Sequence, residues 1–209
     1  MACQLVYTQL LPLSHQEKCL FEYLLSRIAA KYGFDPNWLM TIMCFETIGQ
    51  FKTGVYYHSG KVGILPFSTQ AAKRLGTTQQ ALAGLNHFEQ LMYIALYFNR
   101  YNLKGRIRSF RELFLAVYFP HLLNTRRDTI IFKSPSVEYE ANKWFDAENK
   151  GYIRLIDMLE SVEQFLHERT PNGFPIPKRM PINLIPKFKS KRRYQVWMSA
   201  VLLAFFREF

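Results

Sequence analysis

Asp35-Pro-Asn-Trp-Leu-Met-Thr-Ile-Met-Cys-Phe-Glu46-Thr-Ile-Gly49 is the stretch whose reading decides this chain. Asp35 suits an N-cap, Pro36 the first helical position and Gly49 a stop, so the spacing predicts one helix that Glu46 closes. The residues three, four and seven places earlier are Met43, Ile42 and Leu39. The carboxyl therefore shares their apolar face. With Phe45 and Phe51 adjacent, such surroundings disfavour the ionised form and raise the pKa, as a general acid working near neutral pH requires. The alternative is a structural one, a buried acid paired with one of the many Lys and Arg, since such pairs also perturb acids.

Outward from this helix, the sequence predicts a mainly α protein. Of 209 residues 49% are hydrophobic and 16% aromatic, enough for a substantial core. Capping boxes at Ser14–Glu17, Asn86–Glu89 and Ser109–Glu112 each lead into an apolar-periodic run, and Ser134-Pro135 is expected to open another helix. A small hairpin is expected at Val55-Tyr-Tyr-His-Ser-Gly-Lys-Val62, where Ser-Gly sits between β-favouring residues. Cys3, Cys19 and Cys44 allow at most one disulfide, so a disulfide scaffold is excluded and buried free thiols are expected. The histidines form no His-x-x-x-His or His-Cys constellation, which argues against a zinc peptidase or amidase. No signal peptide is expected: Leu10-Leu-Pro-Leu13 has no basic region before it and is too short.

After Glu46-Thr-Ile-Gly-Gln-Phe51 come Tyr56-Tyr-His-Ser-Gly60-Lys-Val-Gly63-Ile-Leu-Pro-Phe67 and a capped helix, Ser68-Thr-Gln-Ala-Ala-Lys-Arg-Leu-Gly76. Further on stand Glu89-Gln-Leu-Met-Tyr-Ile-Ala-Leu-Tyr97-Phe, Leu115-Ala-Val-Tyr-Phe-Pro120 and Asn142-Lys-Trp-Phe-Asp146-Ala-Glu-Asn-Lys-Gly151-Tyr-Ile. In order and spacing these resemble the lytic transglycosylase branch of the lysozyme-like superfamily, in particular the soluble transglycosylase-like proteins common in phages, over residues 14 to 166. Glu46, Thr47, Gly49, Phe51, Gly60, Gly63 and Phe67 fall in register with that family's pattern. Pro66 departs from it, standing where the family has a Gln that lines the sugar groove.

The resemblance implies a lysozyme-like helical domain over residues 1–169, cleaving peptidoglycan glycan strands at the MurNAc-GlcNAc β-1,4 bond. Ordinary glycoside hydrolysis uses two carboxylates. Between Thr47 and Phe88, the region that supplies the second carboxylate in a lysozyme-like fold when there is one, there is no Asp or Glu, so the resemblance implies that one acid does both jobs. By resemblance Glu46 protonates the glycosidic oxygen, the substrate's N-acetyl group stabilises the cationic centre, and Glu46 then takes a proton from the primary hydroxyl to close an anhydro ring. Thr47, Phe51, Gly63, Phe67, Gln90 and Tyr97 are the residues expected at the substrate; Thr47 is also read as fixing the neighbourhood of Glu46 by a hydroxyl hydrogen bond, and packing is the alternative for Gln90 and Tyr97. No cofactor is implied. The rival from another class is a catalytically impaired structural or wall-binding virion protein of the same fold, for which Pro66 speaks.

The formal net charge of +11 suits an anionic partner. Basic residues are spread along the chain and form no helix-turn-helix or RNA-binding signature, so no specific nucleic acid is expected; peptidoglycan with its stem-peptide carboxylates fits the same field. Asp146, Glu148 and Asp157, with Gly151 at the sixth place, have the spacing of an EF-hand loop. Lys150 stands at the fifth place, where a donor oxygen belongs, so no metal is expected there and the loop is read as a turn opening a helix from Ile153 to Glu168. From Thr170 the composition changes. Five prolines between 171 and 186 suggest an extended arm, followed by the basic run Lys187–Arg193 and the apolar run Val196–Phe206. Eleven residues are too few to span a bilayer. Three readings stand for them: a helix docked on the enzyme's own core, an interfacial anchor on a membrane surface, or a docking peptide for a phage virion or tail component. An enzyme of this kind is made in the cytoplasm and reaches the wall through a lesion, a secretion channel or carriage in a virion.

Overall fold

A computed structural model describes residues 5–56 and 60–160. These are mainly helical, with one two-stranded antiparallel sheet. They fall in two compact units that divide between Tyr118 and Phe119. The boundary expected at residue 170 and the tail beyond it lie outside the described residues.

The first unit is built on α1 (His15–Tyr32), α2 (Pro36–Glu46), α3 (Thr69–Arg74), α4 (Gln79–Ala83), α5 (His87–Arg100) and α6 (Phe110–Tyr118). Ser14 and Glu17 close a reciprocal capping box on α1, and Asn86 and Glu89 close one on α5, as their spacing predicts. At α6 the box is half made. Ser109 Oγ accepts from Glu112 N, but the Glu112 carboxylate reaches back to Arg108 N instead of Ser109 N. Leu20, Phe21, Leu24, Leu25, Ile28 and Tyr32 form the buried stripe of α1 at three- and four-residue spacing. That stripe packs on α5 and α2, and α2 packs on α6. Rings of Tyr32 and Phe34 meet Phe98 edge to face at 5.3 and 5.5 Å, and Tyr32 Oη donates to the Ala95 carbonyl. Truncating a side chain such as Leu24 to Ala in this layer costs about 2–5 kcal/mol.

The expected hairpin at 55–62 is reduced, among the described residues, to single antiparallel bridges, Tyr56 to Val62 and Val62 to Phe67. Val62 and Phe67 exchange both backbone hydrogen bonds at 3.1 Å. Residues 62 to 67 thereby form a tight closed loop.

In the second unit, β1 (Ile130–Lys133) pairs with β2 (Tyr152–Arg154) around α7 (Val137–Asn142), with a bulge between Ile130 and Phe132. Two expectations are corrected here. The helix expected at Ser134-Pro135 opens two residues later, capped by Ser136, whose hydroxyl accepts from Tyr139 N. The helix expected from Ile153 begins at 155, because Tyr152 and Ile153 are claimed by the β1 ladder and Asp157 accepts from Arg154 N at the helix start. No helix among the described residues is long and apolar enough to cross a membrane. Cys19 and Cys44 are half-buried rather than buried; Cys3 lies outside the described residues.

Candidate active site

Asp35 caps α2 through Oδ1, which accepts from Asn37 N at 2.8 Å, and α2 ends at Glu46 as its sequence predicts. Beyond Glu46 the chain reverses sharply. Ile48 N donates to Phe45 O and Gly49 N to Cys44 O, the paired bonds of a Schellman stop. That motif puts its turn residue in the left-handed region, and here the residue is Ile48, φ 51°. A β-branched side chain at positive φ is strained. Phe51, φ 49°, turns the chain again, and His87 Nε2 donates to its carbonyl at 2.7 Å. Glu46 is thus held at the carbonyl end of a helix, where the local dipole already disfavours a negative charge.

Two further residues complete the site. Tyr118, the last residue of α6, donates its hydroxyl to Glu46 Oε1. Lys61, which directly precedes the closed loop, holds its ammonium 4.8 Å from the centre of the Tyr118 ring. Burial raises the Glu46 carboxyl above its ordinary value, against the Tyr118 hydrogen bond and the Lys61 charge, which both lower it. Burial likewise pushes Lys61 down against the charge of Glu46. Tyr118 is driven well up by burial, and the charge and hydrogen bond of Glu46 act in the same direction. It stays a phenol and a donor. In both members of the Glu46–Lys61 couple, then, desolvation outweighs attraction. The structural alternative for Glu46, a buried ion pair, takes only this form: a nearby cation with no ion-pair contact. With Oε1 held by Tyr118, Oε2 has no hydrogen-bond partner among the described residues.

The residues expected at the substrate are interior. Thr47, Phe51, Gly63, Phe67, Gln90 and Tyr97 are all buried. None presents a surface to a ligand, so the expected direct contacts give way to support. Thr47 Oγ1 donates to Met43 O, which also accepts from Thr47 N, and so reinforces the last turn of α2. Gln90, 0% exposed, accepts from Ile64 N and donates to Thr53 O and Leu82 O, binding two loop segments and α4 to α5. A Cβ on Gly63, φ 95°, would stand 2.8 Å from Gln90 Oε1, so only glycine lets the loop approach. Tyr97 Oη donates to the carbonyls of Ala116 and Val117 and so fixes the last turn of α6, which carries Tyr118. Phe67 packs edge to face on Tyr97. Pro66 is buried inside the closed loop.

Sequence reasoning did not single out Lys61 and Tyr118. The signals were a lone cation in an otherwise apolar Gly60–Phe67 turn and a hydroxyl ending the apolar run of α6.

No family model, curated protein or solved structure matches this chain.

The EF-hand-like loop of the second unit carries its own cation. Lys150 Nζ lies 3.3 Å from Asp157, 3.4 Å from Glu148 and 4.0 Å from Asp146 carboxylate oxygens. Asp146 also accepts from Lys150 N, Gly151 N and Tyr139 Oη. Hydrogen bonding from Arg154, with Lys150 adding to it, brings Asp157 down to about 2. The ammonium occupies the centre that a calcium ion would need.

Proposed function

We propose that this protein is a peptidoglycan lytic transglycosylase of lysozyme-like fold, with Glu46 as its single general acid and base. The observation that carries this reading is the setting of Glu46. Its carboxyl ends a buried helix, burial raises its pKa, and Tyr118 fixes one oxygen while the other has no hydrogen-bond partner among the described residues. A carboxylic acid so held is protonated closer to neutral pH than a free one, and its proton sits on the oxygen free to meet a substrate. Glu46 gives that proton to the glycosidic oxygen as the bond breaks. The carboxylate left behind is stabilised by Tyr118 and Lys61, then takes a proton from the sugar's primary hydroxyl as the anhydro ring closes. Tyr118, pushed up by burial, keeps its own proton throughout.

The test is mass analysis of products from purified peptidoglycan. Anhydro-muramyl ends are expected, and Glu46→Gln should lower their formation about a hundredfold or more. Reducing ends would make the protein a hydrolase. No products would favour the structural or wall-binding rival, and more than a few percent of activity in Glu46→Gln would remove Glu46 from the chemistry.

A further inference from the structure

We propose that Lys61 is a specificity residue of the Glu46 site, the donor by which it takes hold of a carboxylate on the muramyl portion of its substrate. The inference rests on the glycan-cleaving reading of Glu46 and goes beyond it, since the charge of Lys61 acts on the Glu46 carboxylate through space and leaves its N–H donors for another acceptor.

The geometry is that of a prepared site. The loop on either side of Lys61 is pinned. Before it, the Gly60 carbonyl accepts from Gln79 Nε2 at 2.8 Å; after it, Val62 exchanges two hydrogen bonds with Phe67, and Ile64 N donates to Gln90 Oε1. The ammonium is therefore not carried on a slack turn. It is half-buried, lies against the face of the Tyr118 ring, and has no hydrogen-bond acceptor or ion-pair contact among the described residues. A ring face attracts the cation without using its N–H donors. Three donors, partly desolvated and unspent, are costly unless an acceptor arrives. Glu46 does not serve, since it makes no ion-pair contact with Lys61 and its Oε1 is taken by Tyr118. The chemistry that answers this arrangement is an anionic oxygen brought by the substrate beside the bond to be cut.

Peptidoglycan offers two sources of that anion, the lactyl carboxylate of a muramic acid without peptide and a carboxylate of the stem peptide. Three tetrasaccharides of alternating GlcNAc and MurNAc separate them: one with free lactyl carboxylates, one with those carboxyls converted to simple amides, and one bearing stem peptides. Binding is measured calorimetrically to the full-length Glu46→Gln protein, which does not consume them, and to the same protein with Lys61→Met or Lys61→Arg. A charge-assisted hydrogen bond is worth about tenfold or more in affinity. Lys61→Met should therefore weaken at least one acid-bearing saccharide about tenfold and the amidated one less than about twofold, with Lys61→Arg keeping most of the affinity. Loss confined to one acid-bearing saccharide identifies the source. In the protein with Lys61 intact, raising salt from about 50 to about 500 mM should weaken the acid-bearing saccharides alone, a reading that does not depend on how the variants fold.

Equal weakening of all three saccharides by Lys61→Met, or none, would overturn the proposal while leaving the glycan reading in place. If the Glu46→Gln protein binds none of the three, the glycan reading and the carboxylate site fall together.

Discussion

At the scale of single residues, the site is held against the protein's own stability, and two substitutions should show it. Glu46 has its folded pKa raised above the unfolded value by burial. The folded state then binds the proton more tightly, so the stability this group contributes is present below about pH 4 and is lost as pH rises through the folded pKa. Glu46→Gln should therefore raise the melting temperature at pH 7 by more than at pH 4, even as it abolishes activity. Equal shifts at both pH values would mean that the carboxyl is not desolvated. Ile48 is the second case. It is 75% exposed and sits at φ 51°, so Ile48→Gly removes little packing and relieves backbone strain, against the extra entropy of glycine in the unfolded chain. The balance should stabilise the fold by about 0.5–1 kcal/mol in denaturant titration. A destabilised variant would show that the Ile48 side chain is held by something. The helix stop itself was legible in Gly49, φ 73°, but the left-handed conformation of Ile48 before it was not, because isoleucine gives no sign of positive φ.

At the scale of elements, the helices were legible and the polar fastenings between them were not. Ser14, Asp35 and Asn86 announce their helices because a cap is a local bond between near neighbours. Gln90 and Tyr97 bond instead to backbone carbonyls far along the chain, and a carbonyl leaves no mark in sequence. A buried, satisfied amide and a groove-lining amide read alike until the fold is known. Tyr97→Phe tests the fastening. It strips a donor from two carbonyls at the end of α6, which should cost about 1–3 kcal/mol and lower the melting temperature by several degrees. Because that turn carries Tyr118, kcat should fall while KM holds. A rise in KM alone would return Tyr97 to the substrate. In the second unit, Lys150→Gln leaves three carboxylates facing one another and should lower the melting temperature in chelator. Added calcium should restore it, since the loop regains a cation at its centre. Destabilisation that calcium does not relieve would mean that Lys150 acts through packing along its stem.

At the scale of the whole molecule, charge is the property that the sequence gives most directly and that the fold positions least. Cations run along the chain, yet their excess does not. Beyond residue 169 stand eight Lys and Arg against the single Glu208, so seven of the net +11 charges belong to the last forty residues. The Glu46 site draws on one cation, Lys61, and needs none of these. If the protein cleaves wall glycan as proposed, capture of the anionic wall and cleavage should therefore be separable. Replacing Lys187, Lys189, Lys191, Arg192 and Arg193 with Gln in the full-length chain lowers the formal charge to +6 without touching the described residues. Sedimentation with peptidoglycan sacculi should become weaker and less dependent on salt, since exposed charges act over about 10 Å at 0.1 M ionic strength and are screened beyond that. Turnover of a short soluble glycan should stay within about twofold, because such a substrate needs no surface field to reach Glu46. Loss of turnover on the soluble glycan would place the basic run at the active site itself. Unchanged sedimentation would move wall capture to the cations of the described residues.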